Sequence, residues 1–412
     1  MVTKNKKLTA NIFFLVLVQF SNYLAPLLVL PYLTRTLSIE QFGVVIMALS
    51  ISAISFIFTD FGFVLSAPYW ISKNRERKKE VSLHIGSIFY IKFFIIVLIS
   101  LVIIFYFHYG NGSLNNYQSI LFFILANVFF QAFQPTWFFQ GIEKMKFVTF
   151  TVVTSKLTYL ILVFLLVHKQ GQQNMVIFCL AFSNLLAALV GVTLIYKEGY
   201  KISYGGFTLV KEVFLFSLNF FISRAAVGIY TSASTFIIGS FAGLHQAALY
   251  SSAEKLYQAG QSLTSPVTQA LLPHLSKTKD IATLYKFILF ITPVLIIGCS
   301  VCIYFSKGIV ILFYGSDFAS ASQILDYFLI CSVITFVSIN LGYPAFSIID
   351  RLDLVNKTVY IASFLYVLLL MALIYFKAVN SLNIVKSVLL IEMIVLFLRV
   401  FFLFKSCKKY NL

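Results

Sequence analysis

Apolar residues fill the chain in long runs that are separated by short polar stretches. Most runs have about 20 residues, the length that an α-helix needs to cross the hydrocarbon core of a bilayer. The first run follows a basic start without a small-residue cleavage site, so it is interpreted as a retained span rather than a signal peptide. The pattern predicts twelve spanning helices, over residues 11–33, 42–65, 84–107, 118–139, 148–167, 175–196, 213–240, 247–272, 284–305, 324–348, 359–376 and 384–404.

The composition changes this picture only by excluding alternatives. Of 412 residues, 60% are hydrophobic, 17% are aromatic and 11% are charged, whereas a soluble domain has about 25% charged residues. A water-facing surface cannot be built from so few charges, so a soluble enzyme and a disordered chain are excluded. The chain is predicted to be an all-α polytopic membrane protein.

Basic residues predict the orientation of the spans. The chain has 31 Lys and Arg against 14 Asp and Glu, a net charge of +17. With the N-terminus in the cytoplasm, 21 basic residues fall on the inner side and 5 on the outer side. This bias follows the positive-inside rule, so both termini are predicted to be cytoplasmic. The positive charge is therefore attributed to topology and to anionic membrane lipids, not to nucleic acid.

The twelve predicted spans divide equally around the basic stretch 197–211. We therefore expect two six-helix lobes, residues 1–200 with helices 1–6 and residues 201–412 with helices 7–12. In both halves the second helix closes with Ser-Lys, at residues 72–73 and 276–277. Two repeated six-helix halves are an architecture of transporters, in which the substrate site lies between the repeats.

The loops and motifs argue against an enzyme. The largest loops have only about 15 residues, whereas membrane enzymes of glycan assembly place catalytic residues on larger extramembrane parts. The sequence has no Walker A motif and no metal-binding His/Cys pattern. Cys299 and Cys302 form a CxxC, but it lies in an apolar run without a second ligand pair. No cofactor is expected.

Ionisable residues inside spans are costly and mark functional sites. Arg224 lies near the middle of the seventh predicted span, and Lys255 lies eight residues into the eighth. A cavity that holds Arg and Lys at low dielectric suits a phosphate, whose oxygens match the planar guanidinium. Both are predicted to bind an anionic headgroup in one cavity. The alternative is an ion pair that fixes packing, Arg224 with Asp60 or Lys255 with Glu254.

The other charged residues inside spans, the prolines inside spans and one basic cluster each lead to a separate prediction. Asp60 and Glu392 are candidates for binding a coupling cation or proton. Lys92 and Arg399 lie within about two turns of the predicted cytoplasmic edge and are expected to snorkel towards it.

Prolines inside spans predict kinks at residues 26, 31, 266 and 293, and the first helix, which holds two of them, is expected to bend most. A basic cluster is predicted to anchor on anionic lipid or to attract a lipid-linked phosphate to the cytoplasmic mouth, and it includes Lys73, Arg75 and Arg77.

Five segments, in order along nearly the whole chain, carry a resemblance to a known family. They are NYLAPLLVLPYLTRTLSIEQFGVV (22–45), TDFGFVLSAPYWISKNRERKK (59–79), PTWFFQGIEKMKF (135–147), YSSAEKLYQAGQSLTSPVTQALLPHLSK (250–277) and FYGSDFASASQIL (313–325). Together they resemble the bacterial polysaccharide transporters, the Wzx-type O-antigen flippases of the MOP superfamily.

The resemblance implies a two-lobed, MATE-like fold with a central cationic cavity, lined mostly by the first, second, seventh and eighth helices. It implies that an undecaprenyl-pyrophosphate-linked oligosaccharide is moved from the cytoplasmic to the periplasmic leaflet of the bacterial inner membrane by alternating access. A polysaccharide polymerase and a chain-length regulator are the further partners it suggests. Of the residues in its motifs, Arg35 and Lys255 join Arg224 as candidates for substrate binding, and Asp60 and Glu254 are candidates for ion or proton coupling.

Two other functions stay open at this point. One is a flippase for another lipid-linked glycan, such as a capsule or peptidoglycan precursor. The other is a cation or drug antiporter of the same superfamily, which would prefer acidic cavity residues. The chain also departs from the family at LSIEQFG (37–43), where Gly and Pro more often precede the acidic residue, and at 68–70, where basic or small residues are usual.

Overall fold

A computed structural model describes the backbone of residues 2–110 and 113–410. Within these ranges the side chains are described except at 2–16, 23–24, 115, 223, 226–227, 229–231, 263–274, 276–277 and 407–410. The described backbone contains α-helices, two short 3-10 helices (Asn115–Ile120 and Ser316–Phe318) and no strand. The α-helices are α1 (Val2–Thr36), α2 (Ile39–Asp60), α3 (Phe63–Asn74), α4 (Lys78–Tyr109), α5 (Leu121–Ala132), α6 (Thr136–Gly141), α7 (Met145–Leu166), α8 (Gln173–Lys197), α9 (Gly206–Phe241), α10 (Leu244–Thr278), α11 (Ile281–Tyr304), α12 (Ser306–Tyr314), α13 (Ala321–Asn340), α14 (Tyr343–Ile348), α15 (Leu352–Tyr375) and α16 (Ser381–Tyr410).

Many of these helices are long enough to cross a bilayer. Among the described residues, nine helical segments combine sufficient length with sufficient hydropathy. Helices α1, α9 and α10 have 35 or 36 residues each, but part of each has side chains outside the description. The prediction of an all-helical, multi-pass membrane protein is confirmed. Twelve spans and cytoplasmic termini stay predictions.

The chain divides into two compact units, Met1–Ala233 and Ser234–Leu412. The division falls inside α9, whereas the sequence places a lobe boundary in the basic stretch after residue 200. The predicted boundary therefore stays a prediction, and each unit is described separately below.

Helix α4 illustrates why the apolar pattern has so little helical periodicity. Ile88 and Ile91 are buried inside the first unit, whereas Phe94 and Leu98 are exposed, with 50% and 63% of their surface accessible. Both sides of the helix are apolar because one side contacts protein and the other is suited to lipid. Hydropathy therefore locates such a helix but does not indicate which face packs inward.

The core of the first unit lies where α3 packs against α6. Phe63, Ile71, Trp137 and Phe138 are almost completely buried there. Gly141 allows the close approach, since a Cβ at this position would lie 2.7 Å from Cβ of Ile71. This packing fixes the position of α3, which begins directly after α2 ends. The candidate site lies at this junction.

The turn at LSIEQFG begins α2 through a capping box. Ser38 accepts a hydrogen bond at Oγ from the backbone N–H of Gln41, and Gln41 Oε1 accepts one from the backbone N–H of Ser38, each at 3.3 Å. This reciprocal arrangement satisfies two donors at the helix start. The departure from the family pattern is thus compatible with a well-defined helix start.

Candidate functional site

Asp60 lies at a break between two helices of the first unit. It is the last residue of α2, and the backbone then turns through Phe61 (φ 45°) and Gly62 (φ 75°) before α3 begins. Asp60 is buried, with 1% of its surface exposed. Its Oδ1 accepts a hydrogen bond from the backbone N–H of Val64 at 3.2 Å. The carboxylate is therefore fixed against the first turn of α3, where the positive end of the helix dipole favours a negative charge.

The break packs directly against α9. A Cβ at Gly62 would lie 2.6 Å from the backbone nitrogen of Phe221, so glycine is needed both for the left-handed backbone and for the contact. One turn later, the hydroxyl groups of Ser66 and Ser217 are hydrogen-bonded at 2.8 Å. These contacts bring the middle of α9 to the end of α2.

Arg224 on α9 forms an ion pair with Asp60. Arg224 Nε lies 3.6 Å from Asp60 Oδ2, beyond hydrogen-bond distance. The two partners differ in accessibility, since 40% of the Arg224 side chain is exposed against 2% of the Asp60 side chain. The Arg224–Asp60 pair considered from the sequence is present, and it leaves a large part of the guanidinium side chain accessible.

Lys92 is a second cation in the same place, and its predicted snorkelling is wrong. Only 2% of its surface is exposed, and its Nζ donates a hydrogen bond to the backbone oxygen of Ala132 at 2.8 Å. The physical reason lies in the helix length. Helix α4 begins at Lys78, so Lys92 is 14 residues, or roughly 21 Å, from the helix start, too far for its side chain to reach that end.

Asp60 and Lys92 line one small cavity. Its volume is about 80 Å³, which leaves room for several water molecules. Asp60 Oδ2 is fully buried and has no hydrogen-bond partner among the described atoms. The opposite charges of Asp60 and Lys92 attract each other. Three further polar side chains and three apolar ones complete the wall, namely Gln131, Gln134 and Thr136 with Phe56, Val64 and Trp137.

A chain of buried amides leads away from this cavity. Gln134 Nε2 donates to Asn184 Oδ1 at 2.9 Å, Asn184 Nδ2 donates to Asn127 Oδ1 at 2.7 Å, and Asn127 Nδ2 donates to Ser52 Oγ at 2.9 Å. Ser155 also donates to Asn184 Oδ1 at 2.9 Å. The chain links α2, α5, α7 and α8. It was not found from the sequence because only ionisable residues were considered, although a polar amide inside a span is also costly.

The candidates on α10 and α16 belong to the second unit. Lys255 Nζ donates to Gln258 Oε1 at 2.9 Å, and Glu254 Oε2 accepts from the Thr235 hydroxyl at 3.4 Å. Glu392 is half-buried. Arg224 and Lys255 thus fall in different units, and their shared cavity stays a prediction.

Arg35 lies in the last turn of α1, where its side chain is exposed. One turn earlier, the Tyr32 hydroxyl donates to the backbone oxygen of Val167 at 2.6 Å, which ties the end of α1 to the end of α7. The structure places Arg35 at this end of α1, and its role in substrate binding stays a prediction.

The predicted basic approach after α3 is exposed and partly ion-paired. Arg75 lies 2.8 Å from Glu143 and Arg77 lies 3.4 Å from Glu80. The Lys73 ammonium lies over the ring of Tyr69, 4.1 Å from its centroid. Exposed pairs of this kind contribute little to stability, and a contact of these side chains with an anionic lipid or a lipid-linked phosphate stays a prediction.

Arg399 is also buried rather than snorkelling. Its exposed fraction is 8%, and NH1 donates to the backbone oxygen of Ser338 at 2.6 Å. Helix α16 continues 11 residues beyond it, to Tyr410, so the edge assumed from hydropathy is too close. Its contacts indicate that it holds α13 against α16.

Comparison with known proteins identifies the family. Residues 8–279 match the family model described as "Polysaccharide biosynthesis protein", which is more than half of the chain. The chain belongs to this family. Two relatives named "Putative O-antigen transporter" are 29% and 28% identical to this chain. The relative from Escherichia coli (strain K12) aligns over 68% of this chain and 67% of its own length, and that from Shigella dysenteriae over 77% and 80%.

Solved structures share the fold of this chain. The "Lipid II flippase MurJ, inward closed conformation" has a TM-score of 0.70 at 15% identity, covering 95% of this chain and 87% of its own. An inward-facing multidrug resistance MATE family transporter of the MOP superfamily has a TM-score of 0.67 at 10% identity, covering 97% and 99%. At such identities the likeness concerns the fold alone.

The family match confirms the resemblance to polysaccharide transporters that the sequence motifs indicate. The relatives and structural neighbours described above are transporters or flippases by name. They support a membrane transport protein and not an enzyme, in agreement with the prediction.

Proposed function

We propose that this chain is a flippase for a lipid-linked glycan, and specifically for undecaprenyl-pyrophosphate-linked O-antigen oligosaccharides in the bacterial inner membrane. The observation that carries the proposal is the similarity, over 68% and 77% of the chain, to the two relatives named "Putative O-antigen transporter". A lipid II flippase shares this fold, so the fold is compatible with a lipid-linked substrate. Transport runs from the cytoplasmic to the periplasmic leaflet by alternating access.

The chemistry of such a substrate sets what the protein must provide. A pyrophosphate and a row of sugar hydroxyls each cost several kcal/mol when they enter hydrocarbon without partners. A cation inside the protein lowers this cost for the pyrophosphate, and polar side chains lower it for the glycan. The polyprenyl tail stays in lipid throughout.

Arg224 is the residue we assign to the pyrophosphate. Its ion pair with Asp60 engages Nε, and 40% of its side chain remains accessible. The guanidinium carries five N–H donors and forms paired, charge-assisted hydrogen bonds with phosphate oxygens. Lys255 and Arg35 are proposed as further contacts to the substrate, and Lys73, Arg75 and Arg77 as its cytoplasmic approach. Asp60, Glu254 and Glu392 remain the candidates for ion or proton coupling.

The proposal is tested in a deletion strain by locating its lipid-linked oligosaccharide. We expect single units to accumulate in the cytoplasmic leaflet, and re-expression of the intact chain to clear them and restore long surface polysaccharide. If peptidoglycan precursor accumulated instead, the chain would be a flippase of that class. If surface glycan were unchanged in the deletion strain while its sensitivity to cationic drugs rose, the chain would be a drug antiporter and not a flippase.

The role of Arg224 is tested in the same strain with Arg224→Ala. We expect export to fall more than about tenfold, because charge-assisted hydrogen bonds to the headgroup are lost, while the amount of protein in the membrane stays unchanged. A matched control is Arg351→Ala, which removes another partly exposed Arg whose Nε is 3.0 Å from its acidic partner Asp353. Normal export by Arg224→Ala would reject the assignment.

A further inference from the structure

We infer that Lys92 neutralises the buried carboxylate of Asp60 and thereby keeps the positive charge of Arg224 available to the anionic headgroup of the substrate. Lys92 is thus a positioning residue that acts through Asp60 and does not itself contact the substrate. The inference rests on the proposed role of Arg224 and adds a determinant that the relatives' names and the fold do not assign.

The difference in burial decides which cation compensates Asp60. A buried ammonium without an opposite charge is strongly destabilising, because water cannot solvate it. Lys92 is 2% exposed, whereas 40% of the Arg224 side chain is accessible. Lys92 therefore requires the Asp60 carboxylate to remain ionised. Arg224 does not require it, because water can solvate the accessible part of its side chain.

The geometry of the cavity allows this compensation without a direct contact. The Lys92 ammonium has three donors, of which one is used by the backbone oxygen of Ala132. Asp60 Oδ2 is buried without a hydrogen-bond partner among the described atoms and borders the same cavity as Lys92. A polar cavity of about 80 Å³ accommodates water that bridges the two charges. The contact between Arg224 Nε and Asp60 Oδ2 is long, at 3.6 Å. Arg224 can therefore exchange it for a shorter, charge-assisted hydrogen bond with a phosphate oxygen.

The charge of the cluster then predicts an order of affinities for an anion. Lys92, Asp60 and Arg224 together carry one net positive charge. Lys92→Met removes it, and Arg224 becomes the sole counter-ion of Asp60. Asp60→Asn alone would leave Lys92 as a buried ammonium without an opposite charge, so the informative partner is the double variant Asp60→Asn/Lys92→Met, which restores the original net charge. Affinity for a pyrophosphate is therefore expected to be similar in the double variant and the natural protein, and lowest in Lys92→Met.

The experiment is a binding titration of the purified full-length chain in detergent with farnesyl pyrophosphate, normalised to folded protein. We expect Lys92→Met to bind about fivefold or more weakly, the size of coupling found within charge networks, and the double variant to recover. Farnesol controls for binding of the tail alone. Lys201→Met controls for overall charge, since it removes one exposed cation of the same unit. The midpoint of thermal unfolding is recorded for each variant, since a purely structural pair would change stability and not the affinity of the folded molecules.

The outcomes separate this inference from the proposed function. If Arg224→Ala abolishes binding but Lys92→Met binds normally, the inference is overturned and the role of Arg224 stands. If Arg224→Ala binds as well as the natural chain, both are overturned. Should Lys92→Met fail to fold, the double variant Asp60→Asn/Lys92→Met decides, because binding weaker than that of the natural chain would contradict the charge compensation.

Discussion

At the scale of single residues, the sequence indicates where charge is unusual but not how it is partnered. Asp60 and Arg224 stand out because they are ionisable inside apolar runs, and the structure brings them together as an ion pair. Lys92 is misjudged for two reasons: hydropathy starts its span at residue 84, whereas the helix starts at Lys78, and a helix that is apolar on all sides does not reveal its inward face.

The buried amide chain gives a prediction at the same scale. Asn184 accepts hydrogen bonds from Gln134 and Ser155 and donates one to Asn127. Asn184→Ala breaks all three, and interhelical hydrogen bonds in membranes contribute well under 2 kcal/mol each, so we expect a loss of about 2 kcal/mol. The unfolding free energy in detergent checks this value. The control is Asn356→Ala, which removes the exposed partner of Tyr343 and is expected to change stability by less than about 0.5 kcal/mol.

A loss as small as that of the control would contradict the importance of the amide chain. A collapse of expression in Asn184→Ala would be resolved with Asn184→Asp, whose two side-chain oxygens still accept from Gln134 and Ser155 but cannot donate to Asn127.

At the scale of elements, one predicted span breaks at a position that no proline marks, and the kinks predicted at the prolines stay predictions. Helix α1 is continuous from Val2 to Thr36 through Pro26 and Pro31, whereas the span predicted over 42–65 is broken at Phe61 and Gly62. Prolines are tolerated in helices when other groups satisfy the freed backbone. The break at Gly62 depends on contact with α9, which no local pattern encodes.

This contact predicts the effect of Gly62→Ala. The added Cβ meets the backbone of α9 at 2.6 Å and also strains a positive φ, so we expect a loss of more than about 3 kcal/mol of stability. The matched control is Gly171→Ala. Gly171 also has a positive φ of 88°, but nothing lies within 4 Å of its added Cβ, so the loss is expected to be about 1 kcal/mol. Thermal unfolding of both variants gives the comparison, and equal losses would argue against the close approach of α9.

At the scale of the whole molecule, hydropathy and the family motifs identify the class of protein, but not the division of the chain. The chain divides within α9, where the sequence shows only an apolar run. Each unit nevertheless contains the same local arrangement. In the first unit, Glu143 has a positive φ, lies two positions after the six-residue helix α6, and pairs with Arg75, which follows α3. In the second unit, Asp350 has a positive φ, lies two positions after the six-residue helix α14, and pairs with Lys279, which follows α10. This shared arrangement is consistent with the predicted repeat.

The central claim is that this one chain moves a lipid-linked glycan between leaflets. The most direct measurement uses the purified chain in liposomes that contain undecaprenyl-pyrophosphate-linked oligosaccharide, labelled on the glycan, with a membrane-impermeant reagent outside. About half of the label is accessible if the lipid does not move. We expect the natural chain to make nearly all of it accessible and Arg224→Ala to leave it near half. The account would be contradicted if the natural chain left about half of the label inaccessible to the reagent, both with and without an imposed ion gradient.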